Sequence, residues 1–240
     1  LDPVTDRCMN LFHAGGLYGG FLSFFTILEE LQAVQYPMAG LPDYEMIGNI
    51  ISKQNVDTLL GMPSHLWGLF LANEALFLRY RKEGRGIRKI FYGGEHFSSS
   101  QTRILKEKFG VAVIKSAAYG SNDTGPMGYQ CAHSEGGVHH LHQNLQQLEI
   151  LKLDQDEPAT TGDVGRLLLT SKVRLGQPLI RYEIGDLGRW LTESCPCGRA
   201  SPRFELLGRY GDTFKVGGML FNGRKFGTIL SELESFSGEY

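Results

Sequence analysis

Asp186 follows Gly185 directly after the strand-like run 179–182, so one carboxylate is expected in a tight Gly-Asp turn. A lone carboxylate there can accept hydrogen bonds from both hydroxyls of a ribose, although a hairpin aspartate without a ligand explains a single Gly-Asp as well. Further on, Gly208-Arg209-Tyr210-Gly211-Asp212-Thr213-Phe214-Lys215 is a polar, Gly-punctuated joint with an acid and two bases, where a chain could pivot. A third segment, Tyr119-Gly120-Ser121-Asn122-Asp123-Thr124-Gly125, follows a strand-like run. It offers an aromatic ring for a base, hydroxyl and amide groups for phosphate oxygens, and a carboxylate for Mg2+. An unliganded Gly/Asn/Asp turn is its plain alternative. Gly93-Gly94-Glu95 also ends a strand, where an open α/β sheet binds ligands and glycine permits close backbone approach.

Cys195-Pro196-Cys197-Gly198 is a thiolate pair on a tight knuckle. Tetrahedral zinc needs two more ligands, which Cys131 and one histidine can supply. The candidates are His133, His139, His140 and His142. If Gly136-Gly137 closes a hairpin, His139 lies near Cys131 across the strands; His133 is the alternative. Four protein ligands leave no open position, so such a site is structural. Free buried cysteines are the plain alternative to a metal site, and Cys8 reads as a core or surface thiol. Ser64 beside His65 invites a hydrolase reading, but the Gly-x-Ser-x-Gly elbow is missing, and Pro63-Ser64 reads as a helix start.

Positioning these groups requires two kinds of scaffold. Helical spacing appears over 20–31, 44–53, 65–80 and 98–109, and strand patterns over 34–37, 56–60, 87–92 and 111–114. This alternation predicts an α/β unit with a mostly parallel sheet and flanking helices, over residues 1–125. From 126 to 208 the pattern becomes strands and turns: 127–130, 137–141, 148–153, 165–170, 179–182 and 187–191, with a polar loop at 154–161. An antiparallel or mixed β subdomain is expected there, carrying the cysteines. Residues 209–240 read as a hinge and the start of a small C-terminal domain.

The 240 residues carry 24 basic and 26 acidic side chains, which gives no electrostatic footprint for nucleic acid. The longest apolar stretch, near 19–28, is too short and Gly-rich to span a bilayer. Four cysteines make no disulfide scaffold and fit a reducing, cytoplasmic setting.

Gly-Gly-Glu, Tyr-Gly-x-x-acid, Gly-Asp-Leu and Gly-Arg-x-x-Asp-x-x-Lys occur here in one order. That order resembles the adenylate-forming superfamily. Residues 12–20, Gly61-Met62-Pro63-Ser64 and Cys195-Pro196-Cys197-Gly198-Arg199 resemble the phenylacetate-CoA ligase family in particular. The resemblance implies that ATP and a small-molecule carboxylic acid give an acyl-adenylate, and that coenzyme A then displaces AMP. It implies that Tyr119 stacks on adenine, that Asp123 takes Mg2+, and that Asp186 binds the ribose with Arg209 nearby. Gly93, Gly94 and Glu95 would border the adenine and acyl pockets, and Asp212 would be the hinge. The family's structural Zn2+ site would map onto Cys131, His139, Cys195 and Cys197. Members often pair as homodimers. The alternatives are an acyl-adenylating enzyme that loads a protein or carrier thiol, and a non-catalytic zinc-stapled nucleotide-binding module.

There are departures from the pattern. The usual Tyr-Gly-x-Thr-Glu is Tyr119-Gly120-Ser121-Asn122-Asp123, Gly211 stands for the first hinge acid, and Ala117 replaces an adenine-contacting aspartate. A phosphate loop before Asp6 and a lysine-bearing domain at the other end are expected of the whole protein. The 240 residues are therefore expected to be a fragment that adenylates poorly.

Overall fold

Short apolar strand runs alternate with helical segments through the first 116 residues, a pattern that builds a parallel sheet with crossover helices. The computed structural model describes residues 1–16, 18–216 and 219–222, with side chains described as far as residue 211. The chain divides into two compact units, Leu1–Ser116 and Ala117–Tyr240. The division falls ahead of the boundary expected at 125, so the Tyr119–Gly125 segment starts the second unit.

The first unit runs β1 (Arg7–Asn10), α1 (Gly20–Glu30), β2 (Val34–Pro37), α2 (Tyr44–Gln54), β3 (Thr58–Gly61), α3 (Pro63–Ala72), α4 (Glu74–Lys82), β4 (Lys89–Tyr92), α5 (Ser99–Glu107) and β5 (Val113–Ser116). Its five strands are parallel in the order β2-β1-β3-β4-β5, a doubly wound arrangement. Side chains alternate across β1: Cys8 packs with Leu28 of α1, whereas Met9 packs with Ile47, Ile51 and Phe70 of the helices on the other face. Local signals fix the helix ends. Asp43 caps α2 through the Met46 N–H, and Ser98 with Gln101 forms a capping box on α5. At the amino end of the sheet the fully buried Asp6 carboxylate takes both its oxygens to Lys89 Nζ, 2.7 Å each.

The continuous helix expected over 65–80 is broken at Asn73 into α3 and α4. The cause is tertiary. Asn73 Nδ2 donates to Tyr44 O (2.7 Å) and Leu69 O (3.1 Å), which docks the break onto α2. Gly48 makes room for it, since a Cβ there would lie 2.1 Å from Asn73 Oδ1.

The second unit contains β6 (Tyr119–Ser121), β7 (Gly125–Tyr129), β8 (Val138–Leu141), β9 (Gln146–Leu151), β10 (Gly165–Ser171), β11 (Tyr182–Trp190) and β12 (Arg203–Arg209). A 3-10 turn at Tyr210–Asp212 leads to β13 (Thr213–Val216) and β14 (Met219–Asn222), which pair with each other. The seven-stranded antiparallel sheet has the order β6-β7-β8-β12-β11-β10-β9. Met127, Leu141, Leu148, Ile150, Leu167, Leu169, Phe204 and Leu206 form its core.

Gly185-Asp186 is not the tight turn expected. The two strands read at 179–182 and 187–191 are one strand, β11, and 179–181 precede it. Opposite β10 the register jumps from Leu168↔Glu183 to Arg166↔Leu187, so residues 184–186 bulge out of the ladder around Gly185, whose φ is +81°. A bulge re-aims a side chain without reversing the chain. Among the described residues no helix is long and apolar enough to cross a membrane.

Gly48→Ala is expected to cost about 1–3 kcal/mol in urea denaturation, because the new methyl overpacks a filled site. Gly48→Ala and Asn73→Ala should be strongly non-additive, since both act on one contact. Additive effects would show that the amide does not occupy the space above Gly48.

Candidate functional site

Three residues flagged by the sequence meet in the second unit. Tyr119 Oη donates to Asp186 Oδ2 (2.7 Å), and Arg209 Nη1 donates to Asp186 Oδ1 (3.2 Å) and to Ile184 O (2.8 Å). Cross-strand pairing of Asp186 with Arg209 sets the second contact. Tyr119 reaches Asp186 by a longer route. On a flat sheet the four spacings from β6 to β11 would separate these strands by about 19 Å. One hydrogen bond between them requires a sheet coiled so that β6 and β11 face each other. Burial, and then the Asp186 charge beside it, holds the Tyr119 hydroxyl well above the ordinary tyrosine range. It is therefore a neutral donor at physiological pH. The half-buried ring of Tyr119 packs against His139 (5.8 Å) and Phe204 (5.8 Å).

The β6–β7 turn carries the other expected groups. Ser121 Oγ accepts from the Thr124 N–H (3.1 Å) and lies 3.0 Å from Thr124 Oγ1. Gly120 is required by close approach, since a Cβ there would sit 2.4 Å from Gly125 O. Asn122 and Asp123 are exposed, and Tyr182 Oη donates to Asp123 Oδ2 (3.3 Å). Arg174 Nη1 donates to Asn122 O (2.9 Å), with its guanidinium against the side-chain-free face of Gly125. The sequence reading assigned no role to Tyr182 or Arg174. For Arg174 no local signal exists, because the contact joins the β10–β11 loop to a turn far away in the chain. Asp212 lies in the 3-10 turn, and its side chain is outside the described residues. So are the structure of 223–240 and the side chain of Lys215.

The cysteines gather as the spacing suggested, but with a different histidine. Sγ of Cys131, Cys195 and Cys197 and one ring nitrogen of His140 lie within 4.8 Å of one another. His139 points the other way because neighbours on a strand face opposite sides. It pairs with Phe204 across β8 and β12 and stacks on that ring at 5.9 Å, with Nδ1 on Gly137 O (2.8 Å). Tetrahedral zinc, with bonds of about 2.0–2.3 Å, sets its sulfur and nitrogen ligands about 3.4–3.8 Å apart. Cys131 Sγ to Cys195 Sγ is 3.6 Å, and Cys197 Sγ to His140 Nε2 is 3.5 Å. His140 Nδ1 meets Ser201 Oγ at 3.0 Å, which orients Nε2 toward the thiols. Burial opposes ionisation of Cys131, but the Ser134 hydroxyl, the His133 N–H, His140 and Cys195 outweigh it and lower its pKa to about 5. For Cys195 the Cys197 N–H favours the thiolate, yet burial and the two neighbouring thiols carry the pKa upward. The residues fit a divalent metal that prefers thiolate and imidazole.

In the first unit, Glu95 is already engaged. Its Oε2 accepts from the Ser64 N–H (2.9 Å) and its Oε1 from the Ser64 hydroxyl (3.0 Å), so it neutralises the amino end of α3. Ser64 is thereby tied to an acid and a helix end rather than to a histidine base. Gly93 is buried, and Gly94 takes a φ of +81° at the carboxyl end of β4.

No protein-family profile matches the chain. Over 213 residues it is 32% identical to a phenylacetate-coenzyme A ligase of Thermus thermophilus, a match covering 85% of this chain and 45% of that protein. Over 188 residues it is 24% identical to an indoleacetate–lysine synthetase of Pseudomonas savastanoi, covering 75% of this chain and 42% of the relative. The chain thus spans less than half the length of these curated relatives. A solved 2-hydroxyisobutyryl-CoA ligase, captured in the postadenylation state with 2-HIB-AMP, superposes with a TM-score of 0.83 at 22% identity, over 97% of this chain and 50% of that one. At that identity the likeness is one of fold.

Zinc content separates the two histidines. In reduced, zinc-loaded protein, His140→Ala should lose most of the metal measured by mass spectrometry, while His139→Ala retains it. The reverse result would place His139 in the cluster.

Proposed function

We propose, for this member of the adenylate-forming superfamily with phenylacetate-CoA ligases among its homologues, the ATP-dependent activation of a carboxylic acid and its transfer to coenzyme A. The whole protein's reaction runs in two displacements. A carboxylate oxygen attacks the α-phosphorus, a new C–O–P bond forms, and the bond to pyrophosphate breaks. The thiol sulfur of coenzyme A then attacks the acyl carbon and AMP leaves, with the thiol proton passing to solvent.

One observation carries this reading: Asp186 is held between Tyr119 and Arg209. Each carboxylate oxygen has two acceptor sites. The Tyr119 hydroxyl uses one on Oδ2 and Arg209 one on Oδ1, so both oxygens keep capacity for ribose hydroxyls. A neutral phenol and a guanidinium also fix the rotamer in advance, which lowers the ordering cost of binding. Tyr119 keeps aromatic surface for adenine. Asp123, steered by Tyr182, would hold Mg2+, whose charge offsets that building on the phosphate oxygens. Ser121 and Asn122 would face the phosphates, Gly93 and Gly94 would admit a ligand close to the backbone at the end of β4, and Asp212 would serve as the pivot. Cys131, His140, Cys195 and Cys197 would hold a structural zinc.

The name of the Pseudomonas savastanoi relative supports a second reading of the last step, in which an amine rather than a thiol accepts the acyl group.

Calorimetry with AMP and a non-hydrolysable acyl-adenylate mimic tests the nucleotide site. The chain should bind both, and Asp186→Asn should weaken binding about 10- to 100-fold, the value of hydrogen bonds to a charged acceptor. Lack of binding by the parent chain would sink the proposal. For the whole protein, discharge of a preformed acyl-adenylate by coenzyme A but not by lysine selects the thiol acceptor.

A further inference from the structure

His140 and His139, one residue apart on β8, face opposite sides of that strand, one toward the cysteines and the other toward Tyr119. His140 turns its Nε2 to Cys197 Sγ at 3.5 Å, and His139 turns its ring to Tyr119 at 5.8 Å. We infer that His139 is a positioning residue that makes nucleotide affinity at Asp186 depend on metal occupancy at the Cys131–His140–Cys195–Cys197 cluster. This inference rests on the nucleotide role given to Asp186 above.

The physical route is short. β7 lies between β6 and β8, and Tyr119 pairs there with Gly128. A Cβ at Gly128 would meet Phe204 Cζ at 3.0 Å and His139 Cβ at 3.1 Å. With no side chain in the way, the rings of Tyr119, His139 and Phe204 form one packed group across the strands. The His139 ring has little freedom of its own, because its Nδ1 is bonded to Gly137 O, which also accepts the Leu206 N–H at 2.8 Å. Any twist of β8 that moves His140 therefore moves the surface on which Tyr119 rests. The phenol then carries that displacement to Asp186 through a 2.7 Å hydrogen bond.

A second connection runs parallel to the first. β12 begins at Arg203, the register partner of His140, and ends at Arg209, the partner of Asp186. Arg203 Nη2 donates to Glu193 O at 2.6 Å and so ties the cysteine knuckle to the start of that strand. Two routes thus lead from the cysteine–histidine cluster to the Asp186 carboxylate, one through the His139 ring to Tyr119 and one along β12 to Arg209. Within the cluster itself, hydrogen bonds link the thiols and His140 to one another, to Ser134 and to Ser201, and a bound metal would add bonds to all four ligands.

The experiment compares AMP affinity in four proteins by calorimetry: zinc-loaded parent, chelator-treated parent, zinc-loaded His139→Ala and zinc-loaded His139→Phe. Circular dichroism checks that each is folded. Removing zinc should weaken AMP binding about fivefold or more, the lower range of measured site-to-site coupling. His139→Ala should keep its zinc and show the same weakening. His139→Phe, which restores a flat ring against Tyr119 and Phe204, should recover parental affinity. By reciprocity, saturating AMP should raise the zinc affinity read by equilibrium competition with a chelator in the parent but not in His139→Ala. Trp190, packed edge-on against Phe204 at 6.3 Å, gives a readout without nucleotide. In a Trp67→Phe background its emission should shift on zinc removal. Equal AMP affinity with and without zinc, or parental affinity in His139→Ala, overturns the coupling while leaving the nucleotide site intact. Absence of AMP binding in the zinc-loaded parent removes the nucleotide reading itself, and the coupling with it.

Discussion

The hydrogen bond from Tyr119 to Asp186 is the contact on which the second unit's form depends. It joins the edge strand β6 to β11, with β7, β8 and β12 between them in the ladder. Strands so separated meet only when the sheet coils, and the coil is what turns Tyr119, His139, Phe204 and Trp190 toward one another. A right-handed twist is built into L-residue strands. Glycines at 128 and 188 permit the curvature by leaving room for neighbouring side chains, whereas the buried phenol fixes how far it goes. Burying a hydroxyl is tolerable only with a partner, and the Asp186 carboxylate supplies one.

The two units solve different problems. The first is an open parallel sheet whose loops converge at one edge, where Gly93-Gly94 and the start of α3 lie. Its Ser64–Glu95 contact satisfies an unpaired helix end, in keeping with Pro63-Ser64 read as a helix start. The second is a coiled antiparallel sheet whose side chains, rather than loops, do most of the positioning. There the bulge at 184–186 and the β11–β12 pairing deliver Asp186 to Arg209.

Much of this could be read from residue order. The helix starts at Asp43, Pro63 and Ser98 carry local capping chemistry, and the alternation of strands and helices to Ser116 follows from period and spacing. The cysteine set was legible because thiolate pairs on a knuckle have few other uses. What escaped depended on register. His139 and His140 differ by one position on β8, and which of them faces the thiols is decided by hairpin pairing that no local pattern reports. Gly185-Asp186 looked like a turn because Gly-Asp usually is one, but β10 and β12 on either side hold it within a strand. The helix expected through Asn73 had good local propensity and was interrupted by a tertiary contact with Gly48.

The ion pair between Asp6 and Lys89 bears on the order in which the first unit assembles. Asp6 stands at the root of β1, an interior strand, and its carboxylate is completely buried, yet its cation arrives 83 residues later in the chain. A charge cannot leave water before its partner is present. β1 is therefore barred from final docking until β4 is in place, however early its own apolar residues form and however readily it pairs with β2. Closing so long a loop makes β1 one of the last strands to lock, and pulsed hydrogen exchange at the Met9 and Asn10 amides would record that delay directly.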